Sequence, residues 1–130
     1  MPSKRWKKPK VKSNQFSKWK WLVLCANKLK LGKHTDIGAF TFINAKMGIT
    51  IEDWVQIGPH CSIMSASTID DKYGPVILKE NCKIGANSTI MPNVTIGENS
   101  IIGAHSFVNK SIPANVIAYG TPAIVQNKIR

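Results

Sequence analysis

From Leu31 onward an aliphatic residue returns every six positions, and this period constrains the chain more tightly than any other feature. The first units read LGKHTD, IGAFTF and INAKMG. After a two-residue slip at Ile49 and Thr50 come IEDWVQ, IGPHCS and IMSAST. Beyond an interruption at 69–77 come LKENCK, IGANST, IMPNVT, IGENSI and IGAHSF. A step of six is not the 3.6 of an α-helix and is too long for simple strand alternation. It suits a short strand followed by a corner. Three such steps close a triangular coil of about eighteen residues, and successive coils stack as parallel strands about 4.8 Å apart. A sandwich or barrel would instead show turn signals every ~8–12 residues, without a strict phase.

Within each unit the positions have separate duties. The aliphatic first residue fills the prism. The fifth also points inward, where room is short: it is Thr35, Thr41, Met47, Val55, Cys61, Ser67, Cys82, Ser88, Val94, Ser100 or Ser106, and only Met47 is large. Glycine at the second position (Gly38, Gly58, Gly85, Gly97, Gly103) is expected to allow backbone geometry that a side chain opposes. The expectation is an all-β chain, a parallel β-helix of about four coils spanning 31–112 with an interrupting loop at 69–77. Neither end coil can pair both of its edges, so each needs a cover. Residues 17–30, with Trp19, Trp21, Leu22, Leu24 and Leu29, are expected to form the N-terminal cap. Residues 1–16 are expected to be a basic flexible arm, and 113–130 to close the last coil.

Charge is distributed unevenly. Residues 1–33 hold eleven Lys or Arg and no acid, whereas 34–130 hold seven of each sign, so the whole net charge of +11 sits in the first quarter. This pattern describes a basic arm on a neutral body. The arm is either a solvated tail or a segment for an anionic membrane surface or another polyanion, with nucleic acid the less favoured partner. Trp21–Ala26 is too short for a secretory core, is interrupted by Asn27 and Lys28, and is followed by no small-x-small site, which predicts a cytoplasmic protein. Association with the inner face of a membrane would be an addition to that location. Cys25, Cys61 and Cys82 are an odd count without CxxC spacing, which predicts free thiols packed as small hydrophobes. His34, His60 and His105 lie 26 and 45 residues apart, which speaks against a three-histidine metal hydratase, and no metal is expected.

The segment IGANSTIMPNVTIGENSIIGAHSFVNKSIPANVIAYGTPA, residues 84–123, carries the most specific signal. Its tail runs Val108-Asn109-Lys110-Ser111-Ile112-Pro113 and then Gly120-Thr121-Pro122-Ala123. Over about residues 30–125 the chain resembles the hexapeptide-repeat acyltransferases, especially the acetyltransferases of sugars and nucleotide-linked amino sugars. The resemblance implies a left-handed β-helix, a homotrimer of prisms packed side by side, and active sites between neighbours. It also implies acetyl-CoA as co-substrate along the groove, with the acceptor entering near Ile69–Val76. Ala86 and Ala104 match positions whose backbone meets the pantetheine arm. Asn109 and Lys110 match the adenine and phosphate end, where a lysine suits anionic oxygens. The alternative is that both alanines are ordinary turn residues and Lys110 is simply solvated. Asn44, Asp70 and Asp71 are candidates for holding the acceptor, although the two aspartates equally suit a turn with Lys72 and Gly74.

O-acetylating sugar enzymes of this family carry a catalytic histidine in the interrupting loop, where this chain has Thr68, Ile69 and Asp70. A hydroxyl must lose its proton as it attacks a thioester, and a positioned base contributes roughly 10²–10⁴-fold. A neutral amine is already nucleophilic. The missing histidine therefore favours N-acetylation of a nucleotide-linked amino sugar over O-acetylation of a polysaccharide or free sugar. A non-catalytic trimeric scaffold with a polyanion-binding arm is the alternative from another class. Among the histidines, His60 is the candidate catalytic residue, because it precedes the loop. If Leu78 rejoins the coil on the face left at Ile69, then His60, Asn87 and His105 stack in one column.

Overall fold

The computed structural model describes residues 5–129; residues 1–4 of the basic arm and Arg130 of the closing segment lie outside the described residues. Three walls enclose one core. The first stacks Leu22–Leu24, Phe42–Asn44, Ser62–Met64, Thr89–Ile90 and Phe107–Val108. The second stacks Leu29–Leu31, Ile49–Ile51, Val76–Leu78 and Thr95–Ile96. The third stacks Asp36–Ile37, Gln56–Ile57, Lys83–Ile84, Ile101–Ile102 and Val116–Gly120, all parallel. The repeat's first positions meet rung upon rung: Val23, Ile43, Ile63, Ile90 and Val108 on the first wall, and Leu31, Ile51, Leu78 and Ile96 on the second. Ile37, Ile57, Ile84 and Ile102 align on the third. All of these side chains are buried, and their burial supplies the main driving force for closing the prism.

The fifth positions lie inside as expected at Thr35, Thr41, Val55, Cys61, Cys82, Ser88, Val94, Ser100 and Ser106. Two differ. Met47 is exposed at a corner, and Ser67 is half-buried on a hairpin; Ala45 and Ser65 take the inward places instead. The cause at Met47 is length, because Ile43 and Ile51 are eight residues apart and the longer corner turns Met47 outward. The inward hydroxyls are small enough to fit and satisfy corner carbonyls: Thr41 Oγ1 donates to Gly58 O at 3.0 Å, and Ser88 Oγ to Gly103 O at 3.1 Å.

The special backbone geometry falls on the fourth position and not on the second-position glycines. His34, Phe40, Trp54, His60, Asn81, Asn87, Asn99, His105 and Asn115 all have φ between 56° and 64°. Asparagine and histidine tolerate this left-handed region better than most residues; phenylalanine and tryptophan do not. Beyond His34, in the first coil, each of these N–H groups is aimed at the coil beneath, as where His60 N donates to Ala39 O at 3.0 Å and His105 N to Ala86 O at 2.9 Å. The glycines are needed for close approach. A Cβ at Gly58 would lie 2.7 Å from Ala86 N, and one at Gly85 2.5 Å from Ala104 N.

Both ends are closed. The coils begin earlier than residue 31, since Leu22–Leu24 and Leu29–Leu31 are already wall strands. Trp21, only 2% exposed, takes the inward place that later rungs give to Thr41, Cys61, Ser88 and Ser106. An indole fits there because no coil precedes it. Residues 5–16 form a strap over this end: Trp6 Nε1 donates to Thr35 O at 2.7 Å, Val11 packs on the core, and Asn14 N donates to Val23 O at 2.8 Å. At the other end Ala123–Lys128 folds back antiparallel on Val116–Gly120. The interruption is a hairpin of Ala66–Ser67 and Lys72–Tyr73, after which Val76–Leu78 rejoins the second wall. Among the described residues no helix is long and apolar enough to cross a membrane.

If coil contact is what requires glycine at the second position, Gly85→Ala should lower the unfolding free energy by about 1–3 kcal/mol, the usual cost of forcing atoms into a packed site. Urea unfolding followed by circular dichroism reads this directly, and an unchanged midpoint would contradict it.

Candidate active site

Because Leu78 returns to the second wall, Ile57, Ile84 and Ile102 share the third. The corner from third wall to first therefore stacks Lys20, Phe40, His60, Asn87 and His105, joined through backbone bonds of each residue to the rung below. His60 is exposed, and its ring stacks on Phe40 with centroids 5.4 Å apart and planes 26° from parallel. Phe40 in turn meets Phe16 edge-on at 6.2 Å. Phe40 was not among the candidates read from the sequence. Its signal was present, since it holds the fourth place of IGAFTF, one coil before His60.

Ala86 and Ala104 sit on this same corner, each immediately before a column residue; Ala86 is half-buried and Ala104 exposed. Beside them a shallow groove runs over the third wall, lined by Gln56, Gly58, Pro59, Lys83 and Gly85 among others. The glycines and alanines leave the corner open while the column projects. Chemically the corner offers an exposed imidazole held against a ring, next to a backbone surface that an extended ligand can lie along.

The other candidates stand at the opposite edge of the first wall. Asn44 ends a first-wall strand, and its Oδ1 accepts from Lys46 N at 3.2 Å. Asn109 and Lys110 are exposed just past Phe107–Val108. Asp70 and Asp71 are exposed at the hairpin tip, where Ser67 Oγ donates to Asp70 Oδ1 and Asp71 has φ 52°. Five residues along the chain separate His60 from Ser65 at the hairpin base, roughly 15 Å at strand rise. Within one chain the candidates thus form two groups on either side of the first wall.

His34 belongs to neither group. It lies on the corner between second and third walls, between Trp6 at 5.6 Å and Trp54 at 4.4 Å, with its Nδ1 buried and without a hydrogen-bond partner among the described residues. His60 and His105 are two rungs apart, about 10 Å along the stack, which is too far to share a metal ion. Among the described residues no group of three or more His, Cys, Asp or Glu could hold a metal.

The three-walled stack of six-residue steps defines the class, a left-handed parallel β-helix. Residues 75–110 match the family described as Bacterial transferase hexapeptide (six repeats). The galactoside O-acetyltransferase of Lactococcus lactis subsp. lactis is 34% identical over 113 residues, covering 75% of this chain and 55% of that protein. A maltose O-acetyltransferase from Clostridium difficile 630 superposes with a TM-score of 0.80 at 30% identity, covering 85% of this chain and 64% of the other. A hexapeptide-repeat acetyltransferase of Vibrio cholerae complexed with acetyl coenzyme A has a TM-score of 0.77 at 26% identity, covering 85% and 65%. The chain belongs to the hexapeptide-repeat transferase family. It spans about half the length of the curated relatives it matches.

Cys61 adjoins His60 in sequence but points the other way. It is buried, with Sγ 3.2 Å from Gly85 O, and burial pushes its thiol pKa up. Burial pushes Cys82 to about 12. Thiolates are the reactive form, so neither sulfur is placed to act as a nucleophile. A maleimide offered to the native protein at neutral pH should label half-buried Cys25 and spare Cys61 and Cys82, with all three labelled after denaturation. Mass spectrometry of the peptides decides, and prompt native labelling of Cys61 would count against its burial.

Proposed function

We propose that the protein transfers an acetyl group from acetyl-CoA to a sugar, with the amine of a nucleotide-linked amino sugar as the acceptor. The observation that carries this is the third-to-first corner: an exposed imidazole braced on Phe40, beside a surface reduced to glycine and alanine. Ala86 and Ala104 give the pantetheine arm a flat wall. Asn109 and Lys110, about 15 Å away across the last first-wall rung, serve the adenine and phosphates, and that separation suits the two ends of one extended cofactor. His60 takes the proton released by the attacking amine, and the displaced CoA thiol leaves protonated. The tetrahedral intermediate forms and collapses beside the His60–Asn87 edge.

The acceptor residues come from a neighbour. The hairpin projects at one edge of the first wall and the His60 column at the other. A closed ring of three identical head-to-side contacts brings Asp70 and Asp71 of one prism to the His60 corner of the next, and Asn44 lines the same seam. Ile69, fully exposed at the hairpin tip, supplies an apolar side chain for that contact. The assembly is a homotrimer with three sites between subunits, and it needs no metal.

A second reading, O-acetylation, is favoured by the names of the galactoside and maltose enzymes above. Against it stands the lack of histidine in Ser67–Lys72. Release of free thiol from acetyl-CoA distinguishes the two. Saturable release is expected with an amino-sugar nucleotide and not with galactosides or maltose. Release with the hydroxy sugars alone would replace the amine reading by the hydroxyl one, and release with neither would overturn the enzymatic proposal. His60→Ala should lower kcat by about 10²-fold or more without changing the circular dichroism spectrum. Unchanged kinetics would remove His60 from the mechanism.

A further inference from the structure

We infer that the strapped N-terminal end of the prism is a docking face for an anionic lipid surface. The strap turns a run of basic residues into one side of a folded body. Residues 5–16 cross the first coil from Thr35, past the core contact of Val11, to Val23, and the chain then turns through Ser17–Lys20 into the first wall. Every described Lys and Arg between residues 5 and 33 is exposed, and this stretch contains no acid. The nearest carboxylate in sequence is Asp36, at the edge strand of the third wall. The rest of the molecule is electrically neutral by count, so the net positive charge belongs to this first quarter of the chain.

Charge alone would serve any polyanion. The aromatics select a lipid surface. Trp19 and Phe16 lie in the same turn region and are 48% and 58% exposed. Lys18 Nζ sits 5.7 Å from the Trp19 ring centroid. Tryptophan favours the headgroup layer, where its ring is shielded and its N–H remains wet, and lysines near an anionic leaflet gain attraction individually. Phe40, also exposed, extends this apolar edge toward His60. His60 stands two rungs beyond Lys20, about 10 Å along the axis, so docking by the end leaves the corner clear of the surface. In the trimer proposed above, cyclic symmetry about an axis parallel to the prisms turns three such ends to the same side.

The full chain should co-sediment with phosphatidylcholine vesicles that contain phosphatidylglycerol and should stay in solution with phosphatidylcholine alone. High salt should release it. Replacing Lys7, Lys10, Lys12 and Lys18 together by Gln should weaken binding by roughly several hundredfold, on the order of fivefold per lysine. Trp19→Ser should weaken it further and remove a blue shift of tryptophan emission seen on binding. All five positions are exposed, so retained circular dichroism is expected, and acetyl transfer to a soluble acceptor should stay at the parent rate. That last measurement separates this inference from the enzymatic one. Equal binding to neutral and anionic vesicles overturns it, as does no binding at low salt. So does tighter binding to heparin than to anionic vesicles with no emission shift, which would make the face a general polyanion site.

Discussion

At most corners of the prism a fourth-position residue hands its N–H to a carbonyl of the coil below, and the rest of the structure is arranged around that bond. To aim the N–H along the stack the residue must take a left-handed backbone. In the later coils, apart from His105, the chain meets this demand with asparagine, which adds a side-chain ladder on one corner: Asn81 Nδ2 donates to Asn99 Oδ1 and Asn99 Nδ2 to Asn115 Oδ1, both at 2.9 Å. In the earlier coils the same places hold His34, Phe40, Trp54 and His60, residues that gain less locally and whose rings stack instead. Corners in a solenoid are where large side chains leave the body. The corner that is costliest in backbone terms is therefore also the one that presents chemistry.

The inside of the prism explains why the outside is free to vary. Walls of isoleucine, leucine and valine meet in register, with hydroxyls and thiols in the tighter inward places. Nothing in that core refers to the outer face of the third wall or to the Ser67–Lys72 tip. Substrate recognition can thus be built from exposed residues without disturbing packing. The cost falls at the ends, where a stacked coil exposes unpaired edges. Here the two ends are closed differently, by the strap and the buried Trp21 at one and by an antiparallel hairpin at the other.

Splitting of the candidate residues between two edges of one wall has a simple source. A six-residue step places successive corners on opposite sides of a short strand. His60 and the hairpin, consecutive corners of one coil, cannot meet within a chain. A site that uses both must be assembled across a seam, and the same geometry leaves the groove beside Ala86 and Ala104 bounded on one side alone.

Much was legible from the six-residue period: the all-β solenoid, the inward places, the interruption, and the column of His60, Asn87 and His105, which depended on where Leu78 rejoined. These are local or periodic properties, and a repeat states them many times over. Four matters were decided by tertiary structure. Met47 turned outward because the lengthened corner let Ala45 and Ser65 fill the core. Trp21 became interior because an end coil has a vacancy that no inner coil has. Residues 5–16 lay down over that end because Trp6 bonds Thr35, Val11 packs on the core and Asn14 bonds Val23. Phe40 came under His60 because coil length fixed their alignment. The last three depend on what lies in a neighbouring coil or beyond the end of the stack, and composition within a single unit carries no record of it. The sequence alone determined the shape of the repeat; the stacking determined which side chains stand together.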